Sequence, residues 1–338
     1  MKLRILVTGG AGFIGSNFIH FLLKERPDWQ IVIFDKLTYA GNLANLEAAE
    51  GNPRYTFVKG DICDPMDVGR VFESKFDYVV NFAAESHVDR SLYDPGVFLK
   101  TNILGAQVLL EHSLKNGVKR FLQISTDEVY GSLGDDGFFS EISPMAPNSP
   151  YAASKASADL LCRAFHKTFG MPVLVTRAGN NYGPYQFPEK LVPFFLTKAL
   201  NDEPLPLYGD GLNVRDWLHV TDHCEGILTV LEKGKDGESY NIGGGNERTN
   251  LEITRTILKI VGKPESLIKF VMDRPGHDRR YALDFGKIRS ELGWQPKMNF
   301  SEGLATTIDW YRHNEKWWRD IVSGEYMKFY ELHYKERR

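Results

Sequence analysis

Tyr151 and Lys155 stand four residues apart in Pro150-Tyr151-Ala152-Ala153-Ser154-Lys155, a spacing that sets both side chains on one face of a helix. An ammonium beside a phenol favours the phenolate, so the tyrosine can take the proton of a sugar hydroxyl while hydride leaves the same carbon. Upstream, Ile124-Ser125-Thr126-Asp127-Glu128-Val129-Tyr130-Gly131 sets two adjacent carboxyls at the end of a strand-like run. An elimination needs two such groups, a neutral acid to protonate a departing hydroxyl and an anion to remove a carbon-bound proton. Successive residues of a strand face opposite ways, so Asp127 and Glu128 serve one site only if the strand ends there. Either pattern alone is weak: Tyr-x-x-x-Lys is common, and adjacent acids also occur as solvated turns.

A hydride needs an acceptor. Thr8-Gly9-Gly10-Ala11-Gly12-Phe13-Ile14-Gly15 follows the apolar run Arg4–Thr8 and opens a helical pattern from Ser16 to Lys24. Glycines at 9, 12 and 15 let the backbone turn tightly and approach a pyrophosphate, while the helix start offers free amides to the anion. Asp35 closes the second run about twenty residues further on, where a carboxylate accepts hydrogen bonds from a ribose diol and repels a 2′-phosphate. NAD is therefore expected rather than NADP, with the adjacent Lys36 arguing mildly the other way. Asp61 and Ile62 are expected near the adenine. Ala83, Ala84 and Ser86 should lie along the ribose and nicotinamide, although close packing explains the two alanines nearly as well.

Positioning these groups requires a scaffold. The runs Arg4–Thr8, Gln30–Asp35, Thr56–Lys59, Tyr78–Phe82, Arg120–Ser125 and Val173–Arg177 are apolar on both faces and alternate with helical patterns, as in an α/β doubly wound parallel sheet of Rossmann type. Beyond Arg177 the chain turns rich in Pro, Gly and aromatics, which predicts a smaller C-terminal α/β substrate domain. The stretch from Trp217 to Gly243 reads as a helix and a short strand, Tyr240–Ile242, that rejoins the first sheet. The expected division is 1–177 plus about 216–245 for the cofactor, and about 178–215 plus 246–338 for the substrate. Trp310, Tyr311, Trp317 and Trp318 read as one packed helix face.

Composition sets outer bounds. With 338 residues, 42% of them hydrophobic, the chain can bury a large core, and a formal net charge of −3 provides no field to attract nucleic acid or an anionic membrane. Three scattered cysteines suit reduced thiols, and the N-terminal run holds no apolar segment long enough for a signal peptide or membrane span, so the cytoplasm is expected. No metal site is expected.

Together the motifs resemble the extended short-chain dehydrogenase/reductase family, and within it the nucleotide-sugar 4,6-dehydratases, from the glycine loop to at least Leu283. The likeness is carried by Tyr39-Ala40-Gly41-Asn42-Leu43, Ala83 to Ser91, Thr101-Asn102, Ser125 to Gly131, Asn180 to Leu191, Arg215-Asp216-Trp217 and Arg274 to Ala282; the Asp-Glu pair and Gln186-Phe187-Pro188-Glu189-Lys190 are its specific parts. It implies retained NAD, contacted also at Phe13, Ile14, Thr38, Thr101, Ser125 and Asn180, and a nucleotide sugar, dTDP-glucose, as substrate. Tyr151 would take the C4 hydroxyl proton as hydride leaves, Glu128 the C5 proton, and Asp127 would protonate the C6 hydroxyl before hydride returns to C6, with Thr126 bonded to the C4 oxygen and Lys155 to the nicotinamide ribose. Further substrate contacts implied are Ser86, His87, Asn180, Glu189, Lys190, Leu191, Pro206, Tyr208, Arg215, Asn250, His277 and Tyr281. Arg215 suits a diphosphate, its alternative being a salt bridge with Asp216 or Asp222. Ala178-Gly179 departs from the pattern, where a serine is expected beside Asn180. The resemblance also implies a homodimer through helices near Thr101–Leu114 and Tyr151–Phe165. Two rivals remain: a nucleotide-sugar 4-epimerase or decarboxylase, which would leave the acid pair idle, and a catalytically silent NAD-binding regulator.

Overall fold

The computed structural model describes residues 3–323. Its main sheet holds the strands Arg4–Thr8, Gln30–Asp35, Tyr55–Lys59, Tyr78–Asn81, Arg120–Thr126 and Val173–Ala178, joined by a seventh, Ser239–Ile242. All are parallel, in the spatial order seventh, sixth, fifth, fourth, first, second, third. Period-two alternation explains why the inner runs carry no polar face, whereas the edge strand Tyr55–Lys59 leaves Thr56 and Lys59 exposed. Ile5, Val7, Ile31, Ile33, Val80 and Leu122 pack on one side with Phe18 and Leu22 of helix Phe13–Glu25 and Ile227 and Leu231 of helix Val220–Lys233. Leu6, Val32, Phe34, Val79 and Phe121 pack on the other with Val68, Leu109, Leu110 and Cys162. Both faces are covered, so both sets of strand side chains must be apolar.

The strand order reverses between the first and fourth strands, which opens a crevice at their carboxyl ends, the usual ligand position in such sheets. A second layer lies beyond it. Val214–His219 is the middle of a three-stranded sheet, parallel to Asn180–Tyr182 and antiparallel to Glu247–Thr249, and Leu205–Tyr208 pairs with Ile268–Val271. These strands share an apolar cluster with helices Leu191–Leu200, Asn250–Val261 and Phe300–His313.

Two local expectations are corrected. Trp217 to His219 is strand, and the helix starts only at Val220, where the His219 side chain accepts from Thr221 N; pairing with Asn180–Tyr182 holds this buried stretch extended. The tail aromatics lie on two helices, Phe300–His313 and Glu315–Val322, with a break at Asn314. Trp318 folds back to donate to Tyr311 O at 3.0 Å, and Tyr311 donates its hydroxyl proton to Gln186 O, so these rings brace the turn that precedes Phe187.

Candidate active site

One cavity of about 590 Å³ is lined by every residue that sequence reasoning singled out for cofactor, substrate or chemistry. At one end lies the glycine loop. A Cβ on Gly15 would stand 2.3 Å from Gly9 O, and real carbons never approach backbone so closely. Gly15→Val should therefore abolish NAD binding, as read by cofactor content after gel filtration and by titration of the apoprotein, while a parent-like affinity would contradict this use of the loop. Asp35 accepts from Ala11 N at 2.9 Å and Leu37 N at 2.8 Å, which fixes its carboxyl at the mouth of the crevice. Lys36 is turned to Asp61, 2.8 Å away, so its ammonium is already paired and the case for a 2′-phosphate weakens. The loop with Gly9, the carboxyl of Asp35, and Thr38, Ile62, Ala83 and Thr101 along the same wall fit a dinucleotide.

The chemical centre is built where the fifth strand stops. Thr126 is its last residue, and Asp127–Tyr130 forms a tight 3-10 turn, so the two acids leave strand alternation and line one cavity. Thr126 Oγ1 holds the turn by accepting from Glu128 N at 3.2 Å and donating to Asp127 Oδ1 at 3.1 Å, and its hydroxyl also draws the proton affinity of the Tyr151 phenol downward. Tyr151 and Lys155 lie on helix Pro150–Phe169, whose start is capped by Ser149 accepting from Ala152 N at 3.1 Å. Asn102, in a π-helical stretch Leu99–Gly105, donates to Ser154 Oγ at 2.8 Å and to Glu85 O at 3.0 Å, tying that helix to the loop after the fourth strand. Lys155 Nζ donates to Ile124 O at 2.6 Å.

Burial separates the proton affinities of these groups. Asp127, only 2% exposed, is pushed well above the carboxylate range by burial and then by the charge of Glu128, and its Oδ2 has no hydrogen-bond partner among the described residues. Glu128 is also raised by burial, but Arg274, Lys190 and Arg215 pull it back. Asp127 is thus suited to stay protonated and Glu128 to be an anion. The tyrosine departs from expectation. Burial, with Glu128 adding to it, drives the Tyr151 phenol upward, while burial lowers Lys155 to about 8. Desolvation of both groups outweighs the charge effect that their spacing suggested.

At the far end, Arg215 packs its guanidinium 4.4 Å from the Tyr281 ring centre and donates to Asp278 O at 2.9 Å. Asp216 and Asp222 are occupied by backbone amides instead, so the salt-bridge alternative falls away and the Arg215 charge is left facing the cavity. Lys190 donates to Ser86 O at 2.7 Å. His277 is paired with Asp273 at 2.6 Å and is held neutral by burial and nearby arginines. His87 caps the short helix after Ser86, accepting from Arg90 N at 3.4 Å. Leu191, Pro206, Tyr208, Asn250 and Asn180 also line the cavity. Gly179 suits its place because a Cβ there would lie 2.7 Å from Asp216 O. Sequence reasoning missed Arg274, which lines the cavity, is 3.1 Å from Asp89 and lowers Glu128. It stands at the head of the Arg274 to Ala282 motif, but nothing local links it to the distant acid pair.

A parallel sheet with a glycine loop at its switch point, and a Tyr/Lys pair beside two acids of split proton affinity, define a dinucleotide-dependent enzyme of the extended short-chain dehydrogenase/reductase type. Residues 6–307 match the family model described as GDP-mannose 4,6 dehydratase, and the chain belongs to that family. It is 53% identical to the dTDP-glucose 4,6-dehydratase of Actinoplanes sp., over 94% of this chain and 100% of that one. The crystal structure of a dTDP-glucose 4,6-dehydratase from Streptomyces venezuelae, with NAD and dTDP bound, superposes with a TM-score of 0.92 at 52% identity, covering 94% of this chain and 100% of that chain. A dTDP-glucose 4,6-dehydratase from Bacillus anthracis in complex with NAD gives 0.89 at 51% identity, covering 94% and 99%.

Proposed function

We propose that this protein converts dTDP-glucose to dTDP-4-keto-6-deoxyglucose with NAD retained throughout. The observation that carries the reading is the acid pair, raised unequally and lining the same cavity as Tyr151. NAD, when bound, supplies the acceptor and donor of hydride and a positive charge that favours the tyrosine anion. Gly9, Gly12, Phe13, Ile14, Gly15, Asp35 and Thr38 hold it, with Asp61, Ile62, Ala83, Ala84, Thr101, Ser125 and Asn180 along its length. Tyr151 takes the C4 hydroxyl proton, with Thr126 holding that oxygen and Lys155 stabilising the phenolate. The resulting ketone acidifies the C5 hydrogen, Glu128 removes it, and neutral Asp127 gives its proton to the departing C6 hydroxyl. Arg215, with Lys190 and Arg274 nearby, suits the diphosphate. An epimerase would need Tyr151 and Lys155 but would leave Asp127 and Glu128 without work.

The division into a cofactor unit, 1–177 with about 216–245, and a sugar unit, about 178–215 with 246–338, is part of this proposal and is supported by the return of Ser239–Ile242 to the main sheet. So is a homodimer, supported by Leu104, Leu114 and Leu160, which remain exposed on the two helical segments expected at the interface. No helix of the described residues is long and apolar enough to cross a membrane, and the cytoplasm is the proposed compartment. Incubation with dTDP-, UDP-, CDP- and GDP-glucose tests substrate and base together. Rapid formation of the alkaline chromophore of a 4-keto-6-deoxy sugar from dTDP-glucose alone is expected, and C4 epimer without that chromophore would overturn the assignment.

A further inference from the structure

Glu189 was expected to touch the substrate, yet its carboxylate is turned toward protein groups on two other segments. Oε1 accepts from the Tyr39 hydroxyl at 3.1 Å, and Oε2 lies 3.7 Å from Arg90 Nε and 3.8 Å from His87 Nε2. The carboxylate side chain is only 4% exposed. Arg90 sits 3.8 Å over the centre of the Tyr39 ring, and Phe187 meets the same ring edge-on at 5.5 Å. Tyr39 belongs to the loop after the second strand, where Thr38, Ala40 and Gly41 line the cavity beside Asp35. Phe187, Glu189 and Lys190 line it from the segment leading into helix Leu191–Leu200, and Lys190 Nζ is bonded to Ser86 O at 2.7 Å. Three separate segments, two loops and the short helix Val88–Tyr93, thus meet around one carboxylate, with a cation–π contact stacked on the tyrosine that reaches it.

We propose that Tyr39, Glu189 and Arg90 form a clasp that closes the loop beyond Asp35 onto the segment before Leu191 and keeps the dinucleotide resident between turnovers. The inference rests on the proposed reaction. That reaction returns to the sugar the hydride it removes, so the cofactor ends unchanged and has no need to leave. In this clasp the loop carrying Thr38, Ala40 and Gly41, which lines the cavity, swings away from Asp35 when the dinucleotide departs, and that motion breaks the Tyr39 bond and unstacks Arg90. Tyr39 itself does not line the cavity, so its part is positioning rather than contact with the ligands.

The test compares the purified holoenzyme with Tyr39→Phe, which keeps the ring and removes the one bond to Glu189. Dissociation of NAD is followed by exchange against labelled NAD, and turnover is measured with excess NAD present. Loss of this buried hydrogen bond is expected to speed release by about threefold to tenfold, with turnover at saturating NAD unchanged. Glu189→Gln should also speed release. Equal release rates for parent and Tyr39→Phe overturn the clasp, as does faster release accompanied by an equal loss of apoprotein thermal stability. A parent that binds NAD but exchanges it rapidly sinks the clasp alone, whereas a parent that binds no NAD sinks the proposed function with it.

Discussion

Glu128→Gln is expected to bind NAD and oxidise C4 of dTDP-glucose yet form no 4-keto-6-deoxy product, with turnover down about 10²–10⁴-fold. The amide keeps the size and hydrogen-bonding reach of the carboxylate but cannot accept a proton from carbon. Mass spectrometry of quenched reactions should show the 4-keto hexose accumulating, with no solvent deuterium entering C5. Asp127→Asn separates the two roles. It keeps the base, so deuterium should still enter C5, but it removes the proton donor for the C6 hydroxyl, so water should not be lost. The structural ground is the unequal environment: Asp127 is raised well above its usual range, while Arg274, Lys190 and Arg215 restrain the rise at Glu128. If Glu128→Gln releases product at the parent rate, or if Asp127→Asn blocks exchange at C5, the roles are wrong.

Tyr151→Phe is expected to lose about 10²–10⁴-fold at the first oxidation, because the group assigned to take the C4 proton is removed. The pH dependence carries its own sign. Burial lowers Lys155 to about 8, so the side chain is an ammonium below that pH and neutral above it. Support for the phenolate is therefore present at neutral pH and lost as pH rises, and kcat/KM of the parent should fall through about pH 8. Lys155→Arg keeps its charge throughout this range, so whatever activity that variant retains should show no alkaline limb there. At low pH the loss runs the other way, since Glu128 must be ionised to act as a base and burial moves its protonation upward from the usual carboxylate range. A flat alkaline profile in the parent would refute the role given to Lys155.

Much of this protein follows from local pattern. Runs such as Gln30–Asp35 need apolar side chains on both faces because helices cover both sides of the sheet, so a period-two reading finds them without any tertiary knowledge. The glycine loop is equally legible, since Gly15 is required by a backbone contact with Gly9 only six positions away. Tyr151 and Lys155 are legible for the same reason, one helical turn apart. Tertiary structure decided what depends on distance and dielectric. It brought Arg274 to Glu128 and Glu189 to Tyr39, contacts with no trace in sequence spacing, and it broke the tail aromatics into two helices. It also reversed the simple charge argument for Tyr151, because the free energy of an ion depends on how much water the whole fold has removed from around it, and neighbouring residues alone do not determine that.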